Sequence, residues 1–289
     1  MIFNVTLLID EVTSSFNAAA GIIRASLSLI VTLLFFWLIQ FKIENKPVQI
    51  IRDFAPFLFT IVIYLNLHDT IRALNPHDIH QGLLIAEEWI FGLQPTVWIE
   101  RFYHPRLTDW FAFSYLNYYW MTLTLAIWLY RRKYFREFRT LILAGMLSNY
   151  LGFIGYLVFP AASPYMVMPE LFTVDIWEGG SFISELARAV VGLSPERVRD
   201  AFPSLHNGIT LLTMIMAWRY NRLLFWLFLP MALSLPVATV YLRYHFVVDI
   251  IAGFGVSLLA IWLAPKLELS WQALQKNQSL EPEINSFLR

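Results

Sequence analysis

The stretch that decides the fold is Arg131–Pro160, RRKYFREFRTLILAGMLSNYLGFIGYLVFP. Five Lys and Arg stand in its first nine residues, and none of the 21 residues from Thr140 to Pro160 is charged. A membrane crossing needs about 20 mostly apolar residues, and basic flanks stay on the cytoplasmic side. The stretch therefore predicts a cytoplasmic loop feeding a transmembrane helix that leaves on the opposite face.

Similar segments extend in both directions. Ala25–Phe41, Phe54–Leu67, Trp110–Tyr130, Ala201–Trp218 and Leu223–Leu242 lack charges, and Tyr244–Ala264 carries only His245 and Asp249 near its start. Phe54–Leu67 is short and must borrow from Gln49–Asp53 to cross. Composition agrees: 58% of the 289 residues are hydrophobic and 15% charged, where soluble domains hold about 25% charged. Mean hydropathy is +0.56. The expected fold is an all-α, polytopic membrane bundle of six to seven transmembrane helices. An extracytoplasmic N-terminal segment is expected over 1–24 and peripheral spans with an outer loop over 25–109. A catalytic transmembrane core is expected over 110–264 and a cytoplasmic tail over 265–289. The N-terminus lacks the basic start of a signal peptide, so the first span is expected to be retained.

Alternation from the basic loop puts 42–53, 219–222 and the tail inside, and 68–109, 161–200 and the turn Tyr241–Tyr244 outside. The formal charge is zero overall, yet the inner segments hold 13 Lys+Arg against 6 Asp+Glu and the rest 8 against 15. A neutral, Lys- and Arg-poor chain argues against nucleic-acid partners. The absence of cysteine excludes disulfides, thiolate nucleophiles and cysteine metal sites. Ser181–Leu193 has helical apolar spacing, with Ser181 as N-cap and Gly192 as stop, and Ser194-Pro195-Glu196 reads as a fresh helix start. Gly82–Ile99, with Glu87, Glu88, Trp89 and Trp98, suits a segment at the interface. Gly145, Gly152, Gly155, Gly253 and Gly255 suggest close helix packing.

All six histidines, His68, His77, His80, His104, His206 and His245, fall on the outer side. Two stand where spans begin, and ionisable groups at membrane depth are functional candidates. In Phe202-Pro203-Ser204-Leu205-His206, Pro203 disfavours helix before it and Ser204 is a good N-cap. His206 then lies in a first helical turn, whose free N–H groups attract anions. His245 and Asp249 are four apart, so on a helix they share a face, and the carboxylate can orient the imidazole. Two histidines, a carboxylate, a helix N-terminus and Arg243 fit phosphoryl transfer. One imidazole attacks phosphorus, the other protonates the leaving oxygen, and N–H groups, Ser204 and arginine hold the equatorial charge.

Other readings carry less. Axial haem ligation has no use for Asp249 or a helix N-terminus. Ser204 and His206, two apart, do not face each other as a hydrolase pair would. His77-Asp78-Ile79-His80 has the spacing of an ordinary polar loop, so no metal and no other cofactor is expected. The aromatic run Trp110–Trp120 reads as an interfacial belt and packing surface. A transporter would show inverted repeats and paired broken spans, and neither is visible.

Pro203-Ser204-Leu205-His206, Tyr241-Leu242-x-x-His245-x-x-Val248-Asp249-x-x-Ala252-Gly253 and Gly155-Tyr156-x-x-Phe159-Pro160-Ala161-Ala162-Ser163-Pro164-Tyr165 resemble motifs of the type-2 phosphatidic acid phosphatase superfamily. Within it they are most similar to the inositol phosphorylceramide synthase (aureobasidin-sensitive) branch, over roughly Trp110–Ala264. No Arg-Pro pair of the phosphatases' first motif exists in the chain, and Ala238-Thr239 stands where their third motif has Ser-Arg. Both departures favour the transferase branch. The resemblance implies His245 as nucleophile, Asp249 as its orienting group and His206 for the leaving-group proton. It implies a metal-independent transfer of a phosphoinositol-type headgroup from a phospholipid donor to a lipid alcohol, at the extracytoplasmic face. The alternative is a lipid or polyprenyl phosphate phosphatase using the same residues. Ser204, Arg243 and Arg199 are the expected phosphate ligands, with Arg106 a weaker one.

Overall fold

The computed structural model describes residues 45–192 and 199–287. Two expected elements, the span Ala25–Phe41 and the helix start at Ser194, lie outside the described residues. Every described regular element is helical, and the chain divides into two compact units at Leu74.

The first unit contributes α1, Lys46–Leu74. It begins eight residues before Phe54 and runs past Leu67, so the borrowed residues are supplied, and its Lys46–Tyr64 portion is long and apolar enough to cross a membrane. His68, expected in a loop, is on this helix.

The second unit holds α2 (His80–Phe91), α3 (Pro95–Trp98), α4 (Pro105–Arg131), α5 (Phe135–Val158), α6 (Pro164–Val167), α7 (Phe182–Gly192), α8 (Leu205–Tyr220), α9 (Arg222–Tyr241) and α10 (Val247–Phe287). Local chemistry sets their ends. Pro105 opens α4 at a position whose N–H would be orphaned anyway, and the His104 Nδ1 caps it by accepting from the Arg106 N–H at 3.2 Å. Asn221 closes α8 and opens α9, accepting from the Leu224 N–H at 3.1 Å. Arg222 lies 3.1 Å over the Trp218 ring across that turn.

α8 occupies the centre, packed against α4, α5, α9 and α10, while α10 also packs on α5 and α9 on α4. Of the described helices, α5, α9 and Val247–Ser270 of α10 join α1 as apolar enough to span. α4 has the length, but Ser114, Asn117, Thr122 and its tyrosines dilute its apolar character. α8 has only 16 residues, or about 24 Å of helix, because Pro203 and Ser204 are spent before it starts. Trp226 and Leu233 on α9, and Ile251, Leu258 and Trp262 on α10, are exposed, as apolar groups facing lipid would be. The last helix passes through Pro265 without ending, and Glu268 beyond it accepts from the Arg139 Nε at 2.8 Å.

Inside the bundle, hydroxyl pairs join helices: Thr122 with Thr213 and Ser148 with Ser257, both at 2.6 Å and buried. Such pairs satisfy polar groups that lipid cannot. Glycine permits the closest approach. A Cβ on Gly253 would sit 2.1 Å from the Ser204 carbonyl oxygen, and one on Gly208 2.5 Å from the Gly253 oxygen. Gly152 and Gly155 likewise meet Leu205 and Pro203, but Gly145 and Gly255 have nothing within 4 Å. Among the described residues, no neighbour reaches the helix faces on which the last two sit, so they are not packing glycines there.

Gly253→Ala is expected to destabilise the bundle by about 1–3 kcal/mol, since backbone rather than a side-chain tip must yield. Gly255→Ala should stay within about 0.5 kcal/mol of the parent. Thermal unfolding of the two variants in the same detergent compares them directly.

Candidate active site

The site forms where the start of α8 meets the turn between α9 and α10. Arg243 takes a positive φ of 65°, the left-handed conformation that ends helices, and the N–H groups of Tyr244 and His245 return to the Thr239 carbonyl at 2.9 and 3.1 Å. The reversal aims His245 at α8. Helix α10 starts only at Val247, so His245 and Asp249 meet without sharing a helix face. Asp249 instead caps the helix: its Oδ2 accepts from the Phe246 N–H at 2.8 Å, as an acid in the third helical position does in a capping box. That places the same oxygen 3.5 Å from the His245 Nδ1.

The nearer partner of that nitrogen is the Ala201 carbonyl, at 2.9 Å. Both neighbours of Nδ1 are acceptors, so Nδ1 carries the proton and Nε2 keeps its lone pair. The His245 Nε2 faces the His206 Nδ1 at 3.4 Å, and the His206 Nε2 lies 3.1 Å from the Tyr115 hydroxyl. One set of protons assigned from these partners satisfies every link. Tyr115 O–H donates to His206, His206 Nδ1–H to His245, and His245 Nδ1–H to Ala201.

The aromatic run on α4 is thus more than a belt. Tyr115 and Tyr118 pack on His206 with ring centroids 5.0 and 4.6 Å away, and Tyr115 also stacks with Tyr244 at 5.1 Å. Their spacing of three was the available signal, since it lays both rings on one helix face.

Ser204 stands at the N-cap of α8 but makes no side-chain cap bond. Its hydroxyl accepts from the Asn207 Nδ2 at 3.0 Å, and the same amide reaches the Thr239 hydroxyl at 3.0 Å. Its N–H donates to the Asp249 carbonyl at 2.9 Å. A buried neutral network therefore occupies the place of the absent Ser-Arg. Arg243 donates to Glu100 Oε2 at 3.0 Å and to the Val174 carbonyl at 2.7 Å, with Phe172 beneath its guanidinium. Arg199 donates to Asp78 at 2.9 Å and to the carbonyls of Asn75 and Pro76. Both expected cations are thus already engaged by other partners within the chain. Arg106 is on the first turn of α4. Arg188 on α7 has no ion pair among the described residues, and its charge acts on the Tyr244 hydroxyl, beside His245.

Glu87 of α2 is fully buried and accepts from the Val247 N–H at the start of α10, leaving Oε2 unpartnered. Trp89 of this segment is exposed, whereas Glu87, expected at the interface, is buried inside the protein. Among the described residues no cluster of His, Asp and Glu could hold a metal ion. His80 lies 3.8 Å from Asp78, which Arg199 already engages.

The family model described as the PAP2 superfamily matches residues 82–263, well over half of the chain. The chain belongs to the PAP2 superfamily. Members of the PAP2 superfamily are phosphatases or phosphotransferases acting on lipids, which gives the bundle a lipid-related activity of that type. The match begins before Trp110, so α2 with Glu87 belongs to the PAP2 unit. No curated protein and no solved structure matches the chain.

Burial pushes the Glu87 carboxyl up from 4.5 to about 7, and the Asp249 charge adds to the rise, against the lowering by the Val247 and Val248 N–H groups. The folded state then binds the proton more tightly than the unfolded chain. This contribution to stability is fully present below about pH 4.5 and is lost as pH rises through about 7. Glu87→Gln keeps the acceptor and removes the titration. Its melting temperature in detergent is expected to fall less than that of the parent between pH 5 and 8, and parallel curves would refute the assignment.

Proposed function

We propose that the protein transfers a phosphoinositol-type headgroup from a phospholipid donor to a lipid alcohol, through a phosphohistidine on His245, at the extracytoplasmic face. The observation that carries this reading is the His245 imidazole. Its Nδ1–H is held by Ala201 and Asp249, and its Nε2 lone pair is turned to a second histidine.

In the first half, His206 acts from its protonated form, with the Tyr115 oxygen accepting from its Nε2–H. The His245 Nε2 attacks phosphorus, the P–O bond to the donor's alcohol breaks, and the His206 Nδ1 proton passes to the departing oxygen, leaving His206 neutral. Asp249 stabilises the positive charge that develops on His245. In the second half, the acceptor hydroxyl gives its proton to His206 and its oxygen displaces Nε2. Free N–H groups in the first turn of α8, with Ser204, face the transferred oxygens. Arg188, which has no ion pair among the described residues, acts on Tyr244 beside His245 and is the cation left free to meet the phosphate; Arg243 and Arg199 serve only by exchanging their carboxylate partners for phosphate. Since the two imidazoles touch, a phosphorus between them requires the His206 ring to turn aside, past Tyr115 and Tyr118.

The inositol phosphorylceramide synthase branch is supported by the missing Arg-Pro and Ser-Arg cations. It is also supported by the tyrosines around His206, which leave little room for water. Water as acceptor would make the same site a lipid or polyprenyl phosphate phosphatase.

Purified protein incubated with labelled phosphatidylinositol, with and without ceramide or diacylglycerol, separates the two. A new labelled lipid is expected, whereas release of free inositol phosphate or phosphate alone would mean hydrolysis. His245→Ala should lower turnover about 10³-fold or more; full turnover would remove the nucleophile assignment. A cysteine replacing Ser181 should react with an impermeant thiol reagent in intact cells, and labelling only after permeabilisation would place the site on the cytoplasmic face.

A further inference from the structure

A cavity of about 330 Å³ lies at the end of the bundle away from the histidines, between α5, α8 and α10. Its lining includes Arg136 and Glu137 from the first turn of α5, Arg219 and Tyr220 from the last turn of α8, and Ile261 from α10. Arg219 is thirteen residues beyond His206 on one continuous helix, so the two sites are about 20 Å apart along it. No residue is shared between them.

The basic residues around this end are not equally engaged. Arg139 is paired with Glu268, Arg222 lies over Trp218, and Arg132 lies 5.8 Å from the Trp128 ring. Arg136 and Arg219 have no ion pair among the described residues, yet both line the same cavity. Glu137 also lines it and has no ion pair there, so the lining carries one net positive charge. α5 begins here after Tyr134, which provides no side-chain cap, so free N–H groups and the positive end of the helix add to the field. Deeper in, Met216 and Ile261 make the wall apolar.

From this arrangement we infer a binding site for a phosphodiester anion, held between the Arg136 and Arg219 guanidiniums. A singly charged phosphodiester matches the net charge, and guanidinium forks suit its oxygens. An apolar floor under a basic rim, at the end of transmembrane helices, is the setting in which anionic lipid headgroups bind. The ligand class is therefore the headgroup of an anionic glycerophospholipid, with inorganic phosphate as a soluble probe of the guanidinium contacts alone. The site makes no use of the histidine chemistry, so it stands or falls independently of the proposed reaction.

The test is native mass spectrometry and thermal unfolding of the full chain in detergent. The probes are phosphatidylglycerol, phosphatidylcholine and inorganic phosphate. Phosphatidylglycerol should be retained on the wild type and raise its melting temperature, with phosphatidylcholine weaker. Arg136→Gln with Arg219→Gln should weaken phosphatidylglycerol binding about tenfold or more. Arg131→Gln with Lys133→Gln, which removes equal charge outside the cavity, should leave it unchanged. Protection by inorganic phosphate that is lost in the Arg136/Arg219 pair supports the two guanidiniums as the anion contact. Equal loss in both pairs, or unchanged affinity in the Arg136/Arg219 pair, overturns it. Should that pair fail to fold, equal retention of the two lipids by the wild type overturns it without any variant.

Discussion

The backbone of Ser204 resting on Gly253 is the contact on which the rest depends. A helix start and a helix side come close enough that a single methyl would collide with the Ser204 oxygen, and the Ser204 N–H is tied to the Asp249 carbonyl. This registers the first turn of α8 against the first turn of α10. The registration brings His206 to His245 and brings the Ala201 carbonyl to Nδ1. Neither histidine could reach the other from a bundle loosened by one ångström, because a hydrogen bond fades over that distance.

Around that contact the structure assembles successive layers. Asp249 caps α10 and steadies His245, so one carboxylate serves backbone and imidazole alike. Glu87 reaches the next N–H of the same helix start from α2. The turn itself is anchored from outside by Arg243, whose guanidinium binds Glu100 and the Val174 carbonyl. Its role in the folded chain is thus the shape of the turn, and a phosphate role would compete with that.

Much of this was legible in the residues. Uncharged runs and the basic loop RRKYFREFR indicated a helical membrane bundle, and Pro203-Ser204-Leu205-His206 with His245 and Asp249 marked the meeting point. What escaped has physical causes. A spacing of four predicts the same proximity from a helix face as from a capping acid, so the true start of α10 was hidden. Tyr115 and Tyr118 are ordinary in a membrane-facing helix until a neighbour is docked against them. Glu87 looks like a surface acid because its partner is a backbone N–H 160 residues away. The Ala201 carbonyl has no sequence signature at all. Arg243 and Arg199 were expected at phosphate because cations were needed; their carboxylate partners, Glu100 and Asp78, come from a segment whose path the sequence did not reveal.

Tyr115 is ten residues into α4, about 15 Å of helix from its start at Pro105. The imidazoles beside it are therefore recessed, with α4 rising past them. Under the proposed reaction, depth turns the choice of acceptor into a question of partition. At a surface, water at molar concentration outcompetes any dilute alcohol for a reactive phosphoryl group. At the bottom of an aromatic well, the local concentrations are set by what dissolves there, and a hydroxyl carried on a hydrocarbon chain is concentrated while water is depleted. The same pair of histidines would then favour different products according to how deep the surrounding helices place them.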